Sequence, residues 1–553
     1  MAPRYGLVPT VRCGEMAARM TGRIALSTAL VGILVGVLAL GACSSGDETE
    51  PAPITRPTIP PRASLPDPAP SDPAPSVDST PAEPESPSTT AVPEPLDYSI
   101  SFEDRGSGVD AGYVTVPLDY DDPQGDTLDL FVVRHRAESV DDRIGVLFAN
   151  NGGPGLPSSS MAASVRSWFG DPLIDRFDIV TWDPRGTGAS GGSVDCIGDD
   201  EYDRYFASSD VTPDDGAERA DLINLSQDFA EACIAAVGDA LAHLGTNNTA
   251  RDMDAIRQAL DEPQASYLGF SYGSEVGAVW ATLFPDTVRA AVLDGAAHPD
   301  ASGIEPVREQ RMGFERQLNT FLAECSADDS CIFHNDGDAQ GAFDELFASL
   351  DENPIPSVAG RPDVNLEVAI NAVIQAMYSD RRWPALERAL NDAADGDGAG
   401  LLALHDGYFQ RDPQTGGYSN LLESFQAISC ADDPDRLTPE ESDEEAAALA
   451  DAAPRLFPYT TGSYTCDFFP PSDDPRAEIT GDRAGPIVVI GTTGDPSTPL
   501  ESSAAMADAL EDGHLVTVEA DQHTAYRTGD CINDLVHRYL VFLEVPEPGA
   551  RCT

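Results

Sequence analysis

Three residues of the types needed for nucleophilic acyl transfer stand far apart in this chain of 553 residues: Ser271, Asp495 and His523. Ser271 is the centre of Gly269-Phe270-Ser271-Tyr272-Gly273. A neutral serine hydroxyl is a poor nucleophile, so an imidazole must take its proton as attack proceeds. A carboxylate then holds that imidazole in one tautomer and stabilises the imidazolium. The oxyanion that develops needs preorganised backbone N–H donors, each worth about 3–4 kcal/mol in other enzymes. Tyr272, the residue after the nucleophile, is expected to supply one donor. Gly153, in Asn150-Asn151-Gly152-Gly153-Pro154-Gly155, is expected to supply the other, with Gly152 as the alternative.

The elements that must position these groups are legible on either side of them. Ala265 to Gly269 is an apolar run read as a strand, and Val276, Ala278, Val279, Leu283 and Phe284 recur as on one helix face. Strand, sharp turn and helix would leave the serine at the apex, with small flanking residues letting the backbone turn. Ile487 to Ile490 is a continuous β-branched run, read as a buried parallel strand. Asp495 follows it in Gly491-Thr492-Thr493-Gly494-Asp495-Pro496. Leu515 to Val518 reads as another strand, and Gln522-His523-Thr524 comes after it. Ile144 to Ala149, taken as the third strand, precedes the glycine-rich loop. Each reactive residue thus follows a strand, the edge of an open α/β sheet where sites assemble. The other seven of the eight histidines, His298 and His514 included, are expected to be structural or exposed, none following a strand as His523 does.

The order Ser271, Asp495, His523 is that of the α/β-hydrolase fold, and the wider motif set resembles one branch of it. Asn151-Gly152-Gly153-Pro154-Gly155 resembles the His/Asn-Gly-Gly-Pro-Gly signature of the prolyl-iminopeptidase-related branch. Asp183-Pro184-Arg185-Gly186-Thr187-Gly188-Ala189-Ser190 is similar to that branch's Asp-x-Arg-Gly-x-Gly-x-Ser segment. Thr249 to Arg257 and Val292-Leu293-Asp294-Gly295 resemble further segments of it. The chain is most similar to the secreted tripeptidyl-aminopeptidase-like proteins of actinomycetes, from roughly Leu96 to its end. Asp495-Pro496-x-Thr498-Pro499 and Gly529-Asp530-Cys531 fall in their C-terminal segment, here about Asp495 to Cys552. Two departures are Ser274-Glu275 after the elbow and the lack of a cysteine between Val109 and Tyr113.

The resemblance implies an α/β fold with a mostly parallel central sheet and an inserted, mainly helical cap. It implies a serine peptidase working from the N-terminus of peptides, as an aminopeptidase or tripeptidyl aminopeptidase, through an acyl-enzyme and without a cofactor. The alternative is a carboxylesterase on small or lipid esters, since the same triad cleaves both bond types. An aminopeptidase must anchor a free α-ammonium group with a desolvated carboxylate. Glu275, Asp432 and Asp433 are the candidates. Tyr378, Trp383, Phe425 and Tyr464 are candidates for lining a pocket.

The organisation expected along the chain has five parts. Residues 1–43 read as a lipoprotein signal peptide: Arg19 and Arg23 precede the apolar run Ile24 to Leu40, and Leu40-Gly41-Ala42-Cys43 is similar to a bacterial lipobox, with lipidation at Cys43. Residues 44–96 are Pro, Ser and acid-rich, lack the apolar side chains to fold, and read as a disordered stalk. Residues 97–302 and 485–553 form the two parts of the hydrolase core, opened by strands near Tyr113–Val116 and Leu128–Arg134. Residues 303–484 form the cap, with helices at Glu305–Leu322, Ala342–Leu350, Leu366–Met377, Trp383–Ala393 and Glu440–Ala450. The expected location is the outer face of the cell membrane, with release as an alternative.

Of ten cysteines, Cys13 belongs to the presequence and Cys43 to the lipid site, which leaves an even number in the globular part. In an exported protein these are expected to form disulfides. Sequence proximity favours Cys196–Cys233, Cys325–Cys331, Cys430–Cys466 and Cys531–Cys552, with other connectivities open. No metal-ligand spacing is present, and no metal is expected. A formal net charge of −61 argues against nucleic acid and against electrostatic docking on anionic lipid. All 33 basic residues are arginine, which excludes a Ser–Lys dyad, a Schiff-base lysine and a P-loop.

Overall fold

The computed structural model describes residues 97–553. The signal segment, the lipidation at Cys43 and the stalk to residue 96 lie outside the described residues. Ten strands are present: β1 (Glu103–Gly106), β2 (Val109–Pro117), β3 (Thr127–His135), β4 (Gly145–Asn150), β5 (Phe177–Trp182), β6 (Ala265–Phe270), β7 (Val288–Asp294), β8 (Ile487–Thr492), β9 (Gly513–Val518) and β10 (Arg551–Cys552). They form one sheet in the order β1-β2-β3-β5-β4-β6-β7-β8-β9-β10. The pairs from β1 to β5 through β3 are antiparallel, and every pair from β5 to β10 is parallel. The glycine-rich loop therefore follows the fourth strand rather than the third. The extra strand, β1, is short and wholly exposed, so it leaves no apolar alternation in the sequence.

Parallel strands covered on both faces must be apolar throughout, and all six residues of β4, β5, β6 and β8 are buried. Val146, Phe148 and Tyr267 pack on one face with Met253, Val279 and Trp280, from the helices Thr246–Ala259 and Tyr272–Leu283. Leu147, Leu268 and Phe270 pack on the other with Leu173, Val536 and Leu540, from Asp171–Arg176 and Asp530–Phe542.

Strand order reverses around β4, so the chain leaves β4 and β6 toward opposite sides. Asn150 lies level with Gly269 at the C-terminal ends of these neighbours. The glycine-rich loop and the serine turn consequently emerge side by side, at the switch point where open sheets bind ligands.

The Asp-x-Arg-Gly motif is a fastening. Arg185 is fully buried and bidentate to Asp252, at 2.8 and 2.6 Å, and Tyr120 Oη donates to the same carboxylate at 2.9 Å. The remaining guanidinium donors reach the carbonyls of Pro117, Leu118 and His243. Asp183 accepts the N–H groups of Ser159 and Ala189.

Between β7 and β8 the described chain is helical, with Ile304–Ala327, Ala339–Glu352, Leu366–Met377, Trp383–Ala394, Ala399–Tyr408, Leu421–Asp432 and Pro439–Leu449. Leu318, Phe343, Val373 and Leu390 gather in a second core, which Ala207 joins from outside this segment. Trp383 packs in that core against Phe321, and buried Tyr464 donates to Asp443. Disulfides join Cys196–Cys233, Cys325–Cys331, Cys430–Cys466 and Cys531–Cys552. Among the described residues no helix is long and apolar enough to cross a membrane.

Candidate active site

Ser271 stands between β6 and the helix Tyr272–Leu283, with φ 55° and ψ −127°. This is a conformation that non-glycine residues adopt only when the surroundings impose it. The surroundings do so here. Ser271 N–H donates to Asp294 O at 2.9 Å, and Ser271 O accepts from Ser274 N at 2.7 Å. A side chain at Gly269 would collide with the Gly273 carbonyl, and one at Gly273 with the Asn150 carbonyl, so the glycines of the pentapeptide are demanded by the close approach of β6, the helix and the end of β4.

Asp495 and His523 meet. His523 Nδ1 lies 2.9 Å from each carboxylate oxygen of Asp495. The carboxylate is buried and also accepts the N–H groups of Ser497, Thr498 and Thr524, at 3.0, 2.8 and 3.3 Å, with Thr498 Oγ1 at 3.2 Å. Burial disfavours the imidazolium, but the adjoining Asp495 carboxylate outweighs it and raises the His523 pKa above the ordinary histidine value. With Nδ1 committed to Asp495, Nε2 has no hydrogen-bond partner among the described residues, Ser271 included. The imidazole nitrogen turned away from Asp495 is thus unengaged.

The loop carrying His523 is fixed from two sides. The carboxylate of Asp294, buried at the end of β7, accepts from Ala525 N at 2.8 Å and Tyr526 N at 2.7 Å. Burial pushes the Asp294 pKa up to about 6 against those two bonds. From the helical insertion, Tyr378 O accepts from His523 N at 3.1 Å, and the Tyr378 ring meets the imidazole edge-on at 5.4 Å.

Gly152 lies directly against the elbow: a Cβ there would stand 3.0 Å from Ser271 Cβ and 3.3 Å from Tyr272 N. Its own N–H is taken by Asn150 Oδ1 at 2.8 Å. The N–H groups of Gly153 and Tyr272 carry no such bond among the described residues.

A cavity of about 220 Å³ adjoins this arrangement, with Tyr272, Glu275, His298, Gln310, Asp432 and Ser497 in its wall. Two of the three candidate carboxylates line it together. Glu275 pairs with buried Arg476 at 2.5 Å. Asp432 is buried and accepts both the N–H and the Oγ1–H of Thr246, each at 2.6 Å. Burial pushes its pKa up to about 7, with Glu275 adding to the rise and the Thr246 bonds and Arg476 opposing it. Asp433 is outside this wall, its carboxylate turned back on Asp435 N at 2.9 Å. Of the other aromatic candidates, half-exposed Phe425 lies by the glycine-rich loop, its N–H group 2.9 Å from where a Cβ on Gly155 would be. His298 corrects the expectation for histidines: it follows the end of β7 much as His523 follows β9, and it lines the cavity. Asp294 and Arg476 are site residues that the sequence did not point to, and Tyr378, expected in a pocket wall, instead holds the His523 loop.

Residues 145–336 match the family described as alpha/beta hydrolase fold, and residues 458–552 match the family described as TAP-like protein. Over 462 residues the chain is 35% identical to serine protease Hip1 of Mycobacterium tuberculosis, covering 80% of this chain and 87% of that one. It is 34% identical over 452 residues to carboxylesterase B of the same organism, covering 79% and 85%. It is 28% identical over 451 residues to tripeptidyl aminopeptidase of Streptomyces coelicolor, covering 78% and 81%.

Proposed function

The chain belongs to the α/β-hydrolase family, with a TAP-like C-terminal segment, and is a serine hydrolase; from that premise we propose that it is an exported exopeptidase acting at free peptide N-termini. Ser271 Oγ attacks the scissile carbonyl while His523 Nε2 takes its proton, and Asp495 holds the imidazole and balances its charge. The tetrahedral oxyanion lies between the N–H groups of Gly153 and Tyr272. His523 then returns the proton to the departing amine, leaving an acyl-enzyme on Ser271. Water, deprotonated by the same imidazole, releases the N-terminal fragment.

The observation that carries the exopeptidase reading is the charge balance in the cavity wall. The wall holds the carboxylates of Glu275 and Asp432, with mostly exposed Asp300 beside His298, and one arginine, Arg476. Glu275 is matched by Arg476, whereas Asp432 has no cation of its own, and its burial raises its pKa; a substrate α-ammonium beside Asp432 supplies that cation and favours the ionised carboxylate. The helical insertion, residues 303–484, acts as the cap that closes this end of the cleft. The names of two relatives, serine protease Hip1 and tripeptidyl aminopeptidase, agree with a peptide substrate. A panel of tripeptide amides, each with a free or an acetylated N-terminus, tests this beside short acyl esters. Amide turnover that acetylation lowers at least tenfold is expected. Turnover of esters alone would refute it and favour the carboxylesterase reading, for which the similarity to carboxylesterase B is the specific support.

Four disulfides fit an oxidising compartment outside the cytoplasm. Anchorage through a lipid on Cys43 completes this reading. Partition of the full chain into a detergent phase, lost in Cys43→Ser, is the expected result; equal partition of both would contradict it.

A further inference from the structure

Arg311 stands apart from the other arginines. Among the described residues, every other arginine that is not solvent-exposed hydrogen bonds to or pairs with an oxygen. Arg311 does neither, and its Nη1 is fully buried without a partner. Its guanidinium lies over the rings of Phe457 and Tyr459, at 5.5 and 5.3 Å from their centroids. Acidic partners are not scarce in a chain with 94 acidic and 33 basic residues.

The guanidinium borders a chamber of about 240 Å³, with Phe206, Glu367, Gln426, Tyr459 and Tyr464 also in its wall. Glu367 does not neutralise it: that carboxyl accepts from Ser209 N at 2.9 Å, and burial pushes its pKa up to about 8. Arg311 is only partly buried, but a guanidinium nitrogen held away from water without an acceptor is costly. Aromatic faces soften that cost through the ring quadrupole but leave the in-plane Nη1–H donors unmet. A planar fork of N–H donors matches a carboxylate with two bonds. The chamber also follows the same two helices as the catalytic cavity. Gln310, which lines that cavity, precedes Arg311, and Ser429, which also lines it, is one helical turn after Gln426.

We propose that this chamber is a subsite for a carboxylate on a short aliphatic stem, with Arg311 as its specificity-determining residue and the side chain of an acidic residue in the peptide substrate as its occupant. The identity of the occupant rests on the peptidase reading above; carboxylate binding by Arg311 does not.

Two measurements on the whole protein test this. Calorimetric titration with glutarate, and with glutaramide as the uncharged control, should show glutarate binding that Arg311→Met weakens at least tenfold and Arg311→Lys weakens less. Tripeptide amides differing only by Glu or Gln at one position should show at least a tenfold preference for Glu in kcat/KM at one position. Arg311→Met should lose that preference while still turning over neutral peptides. Glutarate binding without any Glu preference would overturn the substrate occupant and assign the chamber to a free carboxylate ligand. Absence of glutarate binding together with Glu/Gln ratios near one would overturn the whole proposal, as would glutarate binding unchanged in Arg311→Met. If no peptide is cleaved at all, the peptidase reading fails, and the titration still decides whether Arg311 binds a carboxylate.

Discussion

Asp294 accepts the Ser271 N–H on its backbone carbonyl at 2.9 Å, while its buried carboxylate accepts the Ala525 and Tyr526 N–H groups two and three residues beyond His523. One residue at the end of β7 therefore fixes both Ser271 and the loop that carries His523. Asp294→Asn keeps the carbonyl bond but turns one side-chain acceptor into a donor facing N–H groups. Small misplacements of reacting groups cost up to about a hundredfold in rate. The variant is expected to lose about 10–100-fold in kcat with little change in KM. Wild-type kcat in a folded Asp294→Asn protein would remove Asp294 from the positioning of the site.

The pH dependence has a definite sign. His523 acts as a base only when neutral, and its pKa is raised above 6.5 by Asp495 despite burial. Activity should fall as pH drops through that raised value. The measurement is kcat between about pH 5 and 9, because kcat reports groups in the enzyme–substrate complex. An acid limb centred above about 6.5 is expected. In Asp495→Asn the limb should move to lower pH and kcat should fall by about 10⁴-fold, through loss of the correct tautomer. A wild-type limb centred below about 6 would contradict the Asp495–His523 pairing.

Stability should depend on the fully buried Arg185–Asp252 pair. Removing one partner leaves an uncompensated buried charge, which costs about 3–5 kcal/mol. Arg185→Met and Asp252→Asn are each expected to lower urea-unfolding stability by about that amount, and the double substitution by much less than the sum. Additive losses would show that the pair acts as two independent residues.

What the sequence made visible was local, and what it hid was long-range. β8 and the elbow were readable because a β-branched run and glycine punctuation sit within a few residues of Ser271 and Asp495. The α/β-hydrolase fold, with its mostly parallel sheet, was implied by the order Ser271, Asp495, His523 and by the family resemblance. The helix Leu421–Asp432 was not readable, because Glu423 and Ser424 occupy core-facing positions and break the apolar period. Their partners, the Cys196 and Ile197 N–H groups and the Gly186 carbonyl, come from a distant loop. The Glu275–Arg476 pair spans 201 positions, so neither residue announced the other. Asp294 was visible only as part of a familiar motif, since its work is done through backbone N–H groups that carry no side-chain signature.

We propose Ser271 as the nucleophile and His523 as the base that activates it. Labelling of the folded protein with a fluorophosphonate, followed by peptide mapping, tests this most directly. Stoichiometric modification of Ser271 is expected, with none in Ser271→Ala and labelling slowed by about 10³-fold or more in His523→Ala, both variants retaining wild-type melting. Modification at another serine, or equal labelling rates in wild type and His523→Ala, would contradict it.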